Sequence, residues 1–186
     1  MKETAGTKWI EALRERTYRE LLQPAGFRTV AAGWWVRSNG WKLDSLRIAN
    51  KGAGIAFVVT YEVLLPPSHD CRNDVDFNNV AYGSPDSALE RDPKVKRVPL
   101  LRSSRRRFAE SCIRDISATL NWFDAFSTPE QCLDIFSRSE LADGSPRGRS
   151  AEEYLQMVID GGHDAYLAGL ASDCSDFTRK LFFPTI

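Results

Sequence analysis

Histidine is nearly absent from this chain: His69 and His163 are its only two. Its four cysteines, Cys71, Cys112, Cys132 and Cys174, fall at no close spacing, so no zinc or thiol-redox motif is present. A Gly-x-Ser-x-Gly elbow for a nucleophilic serine is missing, and so are a Gly-x-Gly-x-x-Gly fingerprint and a Walker-type loop. The one cluster of His, Cys and carboxylate, His69-Asp70-Cys71, lacks further ligands at any standard spacing, and adjacent side chains on an extended segment point apart. These absences predict a chain with no catalytic residues, no metal and no cofactor.

Long apolar runs are missing too. The longest, Ile55–Val59, is far short of the roughly 20 residues that span a bilayer. Met1–Thr7 is polar, without the apolar core of a secretory signal, so the expectation is a cytoplasmic protein with no membrane partner. Charge of one sign is lacking as well: 25 basic and 25 acidic residues cancel, and only local asymmetry can carry information. A chain of 186 residues is long enough to bury about 70% of its unfolded surface, so it needs neither disulfide nor metal to fold. Three of the cysteines fall on apolar helical faces, which predicts buried, reduced thiols.

What is present is organised around Phe27–Leu65, read as three consecutive strands. Phe27–Arg37 and Trp41–Ala49 flank Ser38-Asn39-Gly40, and Asn-Gly between apolar runs predicts a type I′ turn. Ala31-Ala32-Gly33 breaks the alternation of the first strand and predicts a bulge or bend. A second bulge near Asp44-Ser45 would reconcile the two phases of the next strand. In Ile55–Leu65 the odd positions are all apolar, which places that row on the buried face.

Helices surround the meander. Lys8–Gln23 carries an apolar stripe with Thr7 as its cap, and Pro24 and Gly26 end it. Arg105–Phe126 repeats Phe108, Cys112, Ile116, Leu120 and Phe123 at helical spacing and should lie across the sheet. Ser127-Thr128-Pro129-Glu130 restarts a helix. Leu141–Arg149 reads as a linker, Ser150-Ala151-Glu152-Glu153 as a capping box, Gly161-Gly162 as a stop, and a last helix starts near His163. The fold class expected is α+β: an N-terminal helix, a three- to four-stranded antiparallel meander, a long helix on one face and a C-terminal helical extension. The domains expected are a core over 1–140, a linker over 141–149 and the extension over 150–186.

Between Leu65 and Lys94 the pattern collapses into a long excursion with little periodicity, of the kind that is functional or unstructured. From Asp70 to Asp92 its net charge is −4, whereas 94–107 holds seven cations and no acid, with Val98, Leu100 and Leu101 as a fourth strand. The excursion is the expected partner surface, through Asp70, Asp74 and Asp76 with Phe77 and Tyr82 as aromatic anchors. The alternatives are that these acids neutralise the basic stretch internally, or that 94–107 serves a nucleic-acid-associated module beside Trp34, Trp35 and Trp41. An enzyme of unrecognised type is the third.

Leu21-Leu22-Gln23-Pro24-Ala25-Gly26-Phe27, the aromatic-x-arginine step Trp35-Val36-Arg37, and the stretch Asn121–Glu130 with its Trp122-Phe123 pair resemble a bacterial family known only as domain of unknown function 4304. The likeness covers roughly residues 8–140. Ser45-Leu46-Arg47-Ile48-Ala49 departs from it, where the family is expected to carry a glutamine-containing apolar run. No activity comes with the family. Domains of this kind resemble the immunity proteins that accompany secreted bacterial toxins, so the resemblance implies a non-catalytic binder whose partner is a cognate toxin.

Overall fold

Thr4 opens the first helix in the computed structural model, which describes residues 4–65, 78–82, 95–138 and 146–173. Its hydroxyl accepts from the Thr7 amide at 3.1 Å, so the cap is Thr4 rather than Thr7 and α1 runs Ala5–Thr17. A single π-helical stretch, Tyr18–Leu22, continues it. The Phe27 amide then bonds back to the Leu22 carbonyl at 2.9 Å, past Gly26 in its left-handed conformation.

The expected first strand is a hairpin in itself. β1 (Arg28–Ala31) and β2 (Trp34–Ser38) pair antiparallel, with Thr29 opposite Trp35 and Ala31 opposite Trp34. The break at Ala31-Ala32-Gly33 is therefore mainly a reversal of the chain, although the register also shifts between Thr29 and Ala31. Gly33, at φ +73°, permits the turn, and its carbonyl accepts from the Ile48 amide. The next turn also differs from expectation. Only Gly40 takes positive φ, so it is not type I′, which needs positive φ at both central residues; the Asn39 amide closes it onto the Lys42 carbonyl.

β3 (Leu43–Lys51) and β4 (Ala56–Leu65) follow, separated by the 3₁₀ turn Gly52–Gly54. Every residue from Lys42 to Leu46 is buried. The phase change in β3 thus reflects covering on both faces, with Asp44 and Ser45 given polar partners: Asp44 pairs with Lys42, and Ser45 accepts from the Trp34 indole N–H. In β4 the odd row Phe57, Val59, Tyr61, Val63 and Leu65 is buried as expected, but Ile55 lies before the strand and is exposed. A strand missed by the sequence reading, β5 (Asn78–Tyr82), falls within the excursion. β6 is Val95–Arg97, just ahead of the expected strand of Val98, Leu100 and Leu101, and leaves Leu100 and Leu101 outside the sheet. The six-stranded sheet has the order β1-β2-β3-β4-β5, with β6 paired antiparallel to β4.

Helix α2 (Arg102–Phe123) begins three residues before its expected start and passes into a 3₁₀ turn over Asp124–Phe126. Phe108 meets Phe57 edge-on at 6.2 Å and stacks on Trp9 at 5.9 Å, which sets α2 against the strand. Cys112, Ile116 and Phe123 are buried, whereas Leu120 is only half-buried; Thr119 takes the inward place, donating its hydroxyl to the Asp115 carbonyl. α3 (Pro129–Ser137) has a full capping box between Thr128 and Gln131. α4 (Pro146–Ile159) starts within the stretch read as linker, so Ser150 sits inside the helix and not at its start. It ends in a Schellman pattern, Gly162 N–H to the Met157 carbonyl and Gly161 N–H to that of Val158, and α5 (His163–Asp173) follows. The class is α+β.

The chain divides into two compact units: 1–37, 45–61 and 82–122 form the first, and 38–44, 62–81 and 123–186 the second. The first is built on Ile10, Leu13, Phe57, Cys112 and Ile116, the second on Phe123, Phe126, Phe136, Tyr154 and Leu155. Among the described residues no helix is long and apolar enough to cross a membrane.

Candidate functional site

Within the first unit, two glycines bring the N-terminus of α1 onto the turn between β3 and β4. A Cβ on Gly6 would collide with the Gly54 carbonyl, so only glycine allows this approach. The turn is held from both sides: the Thr4 hydroxyl donates to the Ala53 carbonyl at 2.7 Å, and Asn50 Oδ1 accepts from the Gly54 amide at 2.9 Å. Ala53 is thereby kept in the left-handed region at φ 53°, ψ 37°, a conformation costly for a residue with a Cβ.

Beside this junction lies a cavity of about 400 Å³. Gly6, Ile55, Val98, Pro99 and Leu100 make its walls apolar, and Arg105 from the first turns of α2 is the one charged residue among the described ones that line it. The Arg105 Nε–H donates to the Pro99 carbonyl at 3.0 Å. That bond fixes the guanidinium plane and leaves its two terminal amino groups to meet an acceptor.

Apolar side chains of this unit are also exposed, and two of them, Ile55 and Leu100, line the cavity. Leu100 is 94% exposed, Ile55 and Leu101 70% each, and Val95 61%. The neighbouring basic stretch is only partly neutralised. Lys96 is paired with Asp115 and Arg106 with Glu110, but no carboxylate partner is found among the described residues for Arg97, Arg105 or Arg107. These cations also sit at or before the N-terminal part of α2, which has no acid in its first turn, so the helix dipole adds to the positive potential.

Asp70, Asp74, Asp76 and Phe77, expected to meet a partner, lie outside the described residues, and Tyr82 is described only as the last backbone position of β5. The exposed quartet was missed for identifiable reasons. Ile55 continues the odd row of β4 by parity alone, and Val98, Leu100 and Leu101 read as strand. Pro99 was the available signal, since it has no N–H to continue a ladder beyond Val98.

Other ionisable groups are tied up in packing. Burial pushes the Cys112 thiol up to about 11 and the Cys132 thiol up to about 12, far from a reactive thiolate. Tyr154 is raised by burial also, and its hydroxyl donates to the Trp41 carbonyl at 2.6 Å. Among the described residues no group of three or more His, Cys, Asp or Glu converges as a metal site requires. Comparison with known proteins finds no matching family model, curated protein or solved structure.

Proposed function

We propose that this chain is a non-catalytic binding protein of the immunity type, which neutralises a cognate bacterial toxin by occupying its surface. The observation that supports the reading is the exposed quartet Ile55, Val95, Leu100 and Leu101, of which Ile55 and Leu100 line an apolar cavity. Fully covering one such side chain is worth about 1.5–3 kcal/mol, so leaving four in water is a cost that association would recover. Reduced Cys112 and Cys132 fit a cytoplasmic site of action. The alternative is a nucleic-acid-associated module that uses 94–107, of whose cations Lys96 and Arg106 are paired with Asp115 and Glu110.

The test is co-expression with the proteins encoded beside it. One neighbour should arrest bacterial growth when expressed alone, and this chain should restore growth and elute with that protein as a complex. Growth arrest by a neighbour without rescue or complex formation overturns the proposal, as does the absence of any toxic neighbour.

A further inference from the structure

β6 is an open edge. Among the described residues it pairs with β4 alone, Val95 opposite Val58, Lys96 opposite Phe57 and Arg97 opposite Ala56. The Val98 amide bonds to the Ile55 carbonyl at 2.9 Å, which makes that pair hydrogen-bonded. Alternation then makes Phe57–Lys96 the next bonded pair, so the N–H and C=O groups of Val95 and Arg97 point away from β4. Side chains alternate in step: Lys96 reaches Asp115 on α2, while Val95 and Arg97 are exposed. Just beyond this edge the chain lines the cavity with Val98, Pro99 and Leu100, and Arg105 holds its guanidinium there.

Resting on the binding reading above, we propose that the partner presents an extended segment in which apolar and acidic residues alternate, and that this segment adds a strand to β6. Its backbone bonds to the outward groups of Val95 and Arg97, one apolar side chain enters the cavity against Ile55 and Leu100, and a carboxylate is clamped by the terminal nitrogens of Arg105. Charge selects the occupant. Arg97, Arg105 and Arg107, without carboxylate partners among the described residues, favour acids and repel a basic segment. The open edge supplies main-chain affinity and the cavity supplies side-chain selectivity, as in other cases of strand addition.

Full-length, isotope-labelled protein is titrated with three short synthetic peptides: glutamate alternating with leucine, lysine alternating with leucine, and the glutamate peptide with a central proline. The glutamate peptide should bind, with amide shifts centred on Ile55, Val95, Arg97 and Leu100. The lysine peptide should not bind, and the proline peptide should be weakened by loss of a ladder N–H. Arg105→Gln should weaken the glutamate peptide about tenfold or more, the equivalent of one hydrogen bond to a charged group. Leu100→Ser, at a side chain that makes little contact, should weaken it while leaving the fold intact. Equal binding of the lysine peptide, shifts centred elsewhere, indifference to Arg105→Gln and Leu100→Ser, or no binding at all would each overturn the proposal. A toxin still captured by the Leu100→Ser/Arg105→Gln double variant at wild-type affinity would sink this surface alone, whereas a chain that captures no toxin sinks the parent reading.

Discussion

Lys42 and Asp44 form an ion pair in which neither side chain is exposed at all. The Lys42 ammonium also donates to the Phe123 carbonyl at 3.3 Å, and the rings of Trp41 and Phe126 lie 5.8 and 6.0 Å from it. Removing both charges from water is expensive, and the attraction between them does little more than offset that cost. The pair is thus better understood as fixing the start of β3 in one register than as adding net stability. Asp44→Ala should cost about 3–5 kcal/mol, because the lysine is left buried without its carboxylate. The double change Lys42→Met/Asp44→Leu should recover most of that loss. Urea unfolding of the three proteins measures both, and a single variant as stable as wild type would contradict the burial of the pair.

Gly6 sets two effects of opposite sign against each other. Alanine is about 1 kcal/mol better than glycine inside a helix, so propensity alone predicts that Gly6→Ala stabilises. The added methyl would fall on the Gly54 carbonyl, backbone that cannot turn aside as a side chain can. The collision should win, and Gly6→Ala should lower stability by more than Gly40→Ala. At Gly40 a Cβ meets nothing within 4 Å, and the penalty is only the positive φ of 80°, about 1–2 kcal/mol. Thermal melts of the two variants rank them, and a stabilised Gly6→Ala would mean that α1 does not touch the turn.

Where a pattern repeated over several residues, the sequence was readable: the odd row of β4 from Phe57 on, the α2 stripe apart from Leu120, and the helix restart at Ser127–Glu130 each follow from local rules that tertiary contacts reinforce. The errors sit where tertiary contacts overrode those rules. Asp44 and Ser45 looked like a bulge because burial of polar residues depends on Lys42 and Trp34, partners that no periodicity displays. At Gly33 bulge and bend stayed open in the sequence, because a short reversal and a bulge share the same interruption, and the structure has a turn there beside a register shift. The candidate site was least legible of all, since exposed Leu100 and Leu101 resemble core residues in sequence and only their position outside the sheet distinguishes them.

His163 opens α5, its Nε2 buried with no hydrogen-bond partner among the described residues and its Nδ1 3.7 Å from the Asp164 carboxylate. Burial lowers its pKa, and the Asp164 charge opposes this only in part. The unfolded chain therefore binds the proton more readily, at an ordinary value of about 6.5, than the folded protein does. Stability from this group is complete above pH about 6.5 and is lost as the pH falls through the lowered folded value. Wild type and His163→Gln, unfolded in urea at a series of pH values from neutral to mildly acidic, should show a difference that grows against wild type on acidification. A difference independent of pH would mean that the imidazole is solvated in the folded state.

Cys132 is fully buried on α3, and burial pushes its thiol up to about 12. At pH 8 that leaves about one thiolate in ten thousand, and access to it is closed as well. Cys112, fully buried on α2 with a thiol at about 11, should behave alike. Iodoacetamide at pH 8 should leave both unmodified in the native protein and label both in urea, read by mass spectrometry of the peptides that contain them. Substitution separates packing from polarity at the same position. Cys132→Ala removes one sulfur from a dry site, whereas Cys132→Ser puts a hydroxyl there and adds a desolvation cost of about 1–3 kcal/mol if it finds no acceptor. The serine variant should be the less stable of the two. Native labelling of Cys132, or a serine variant as stable as the alanine one, would place the α3 cysteine at a wet surface instead of in the core.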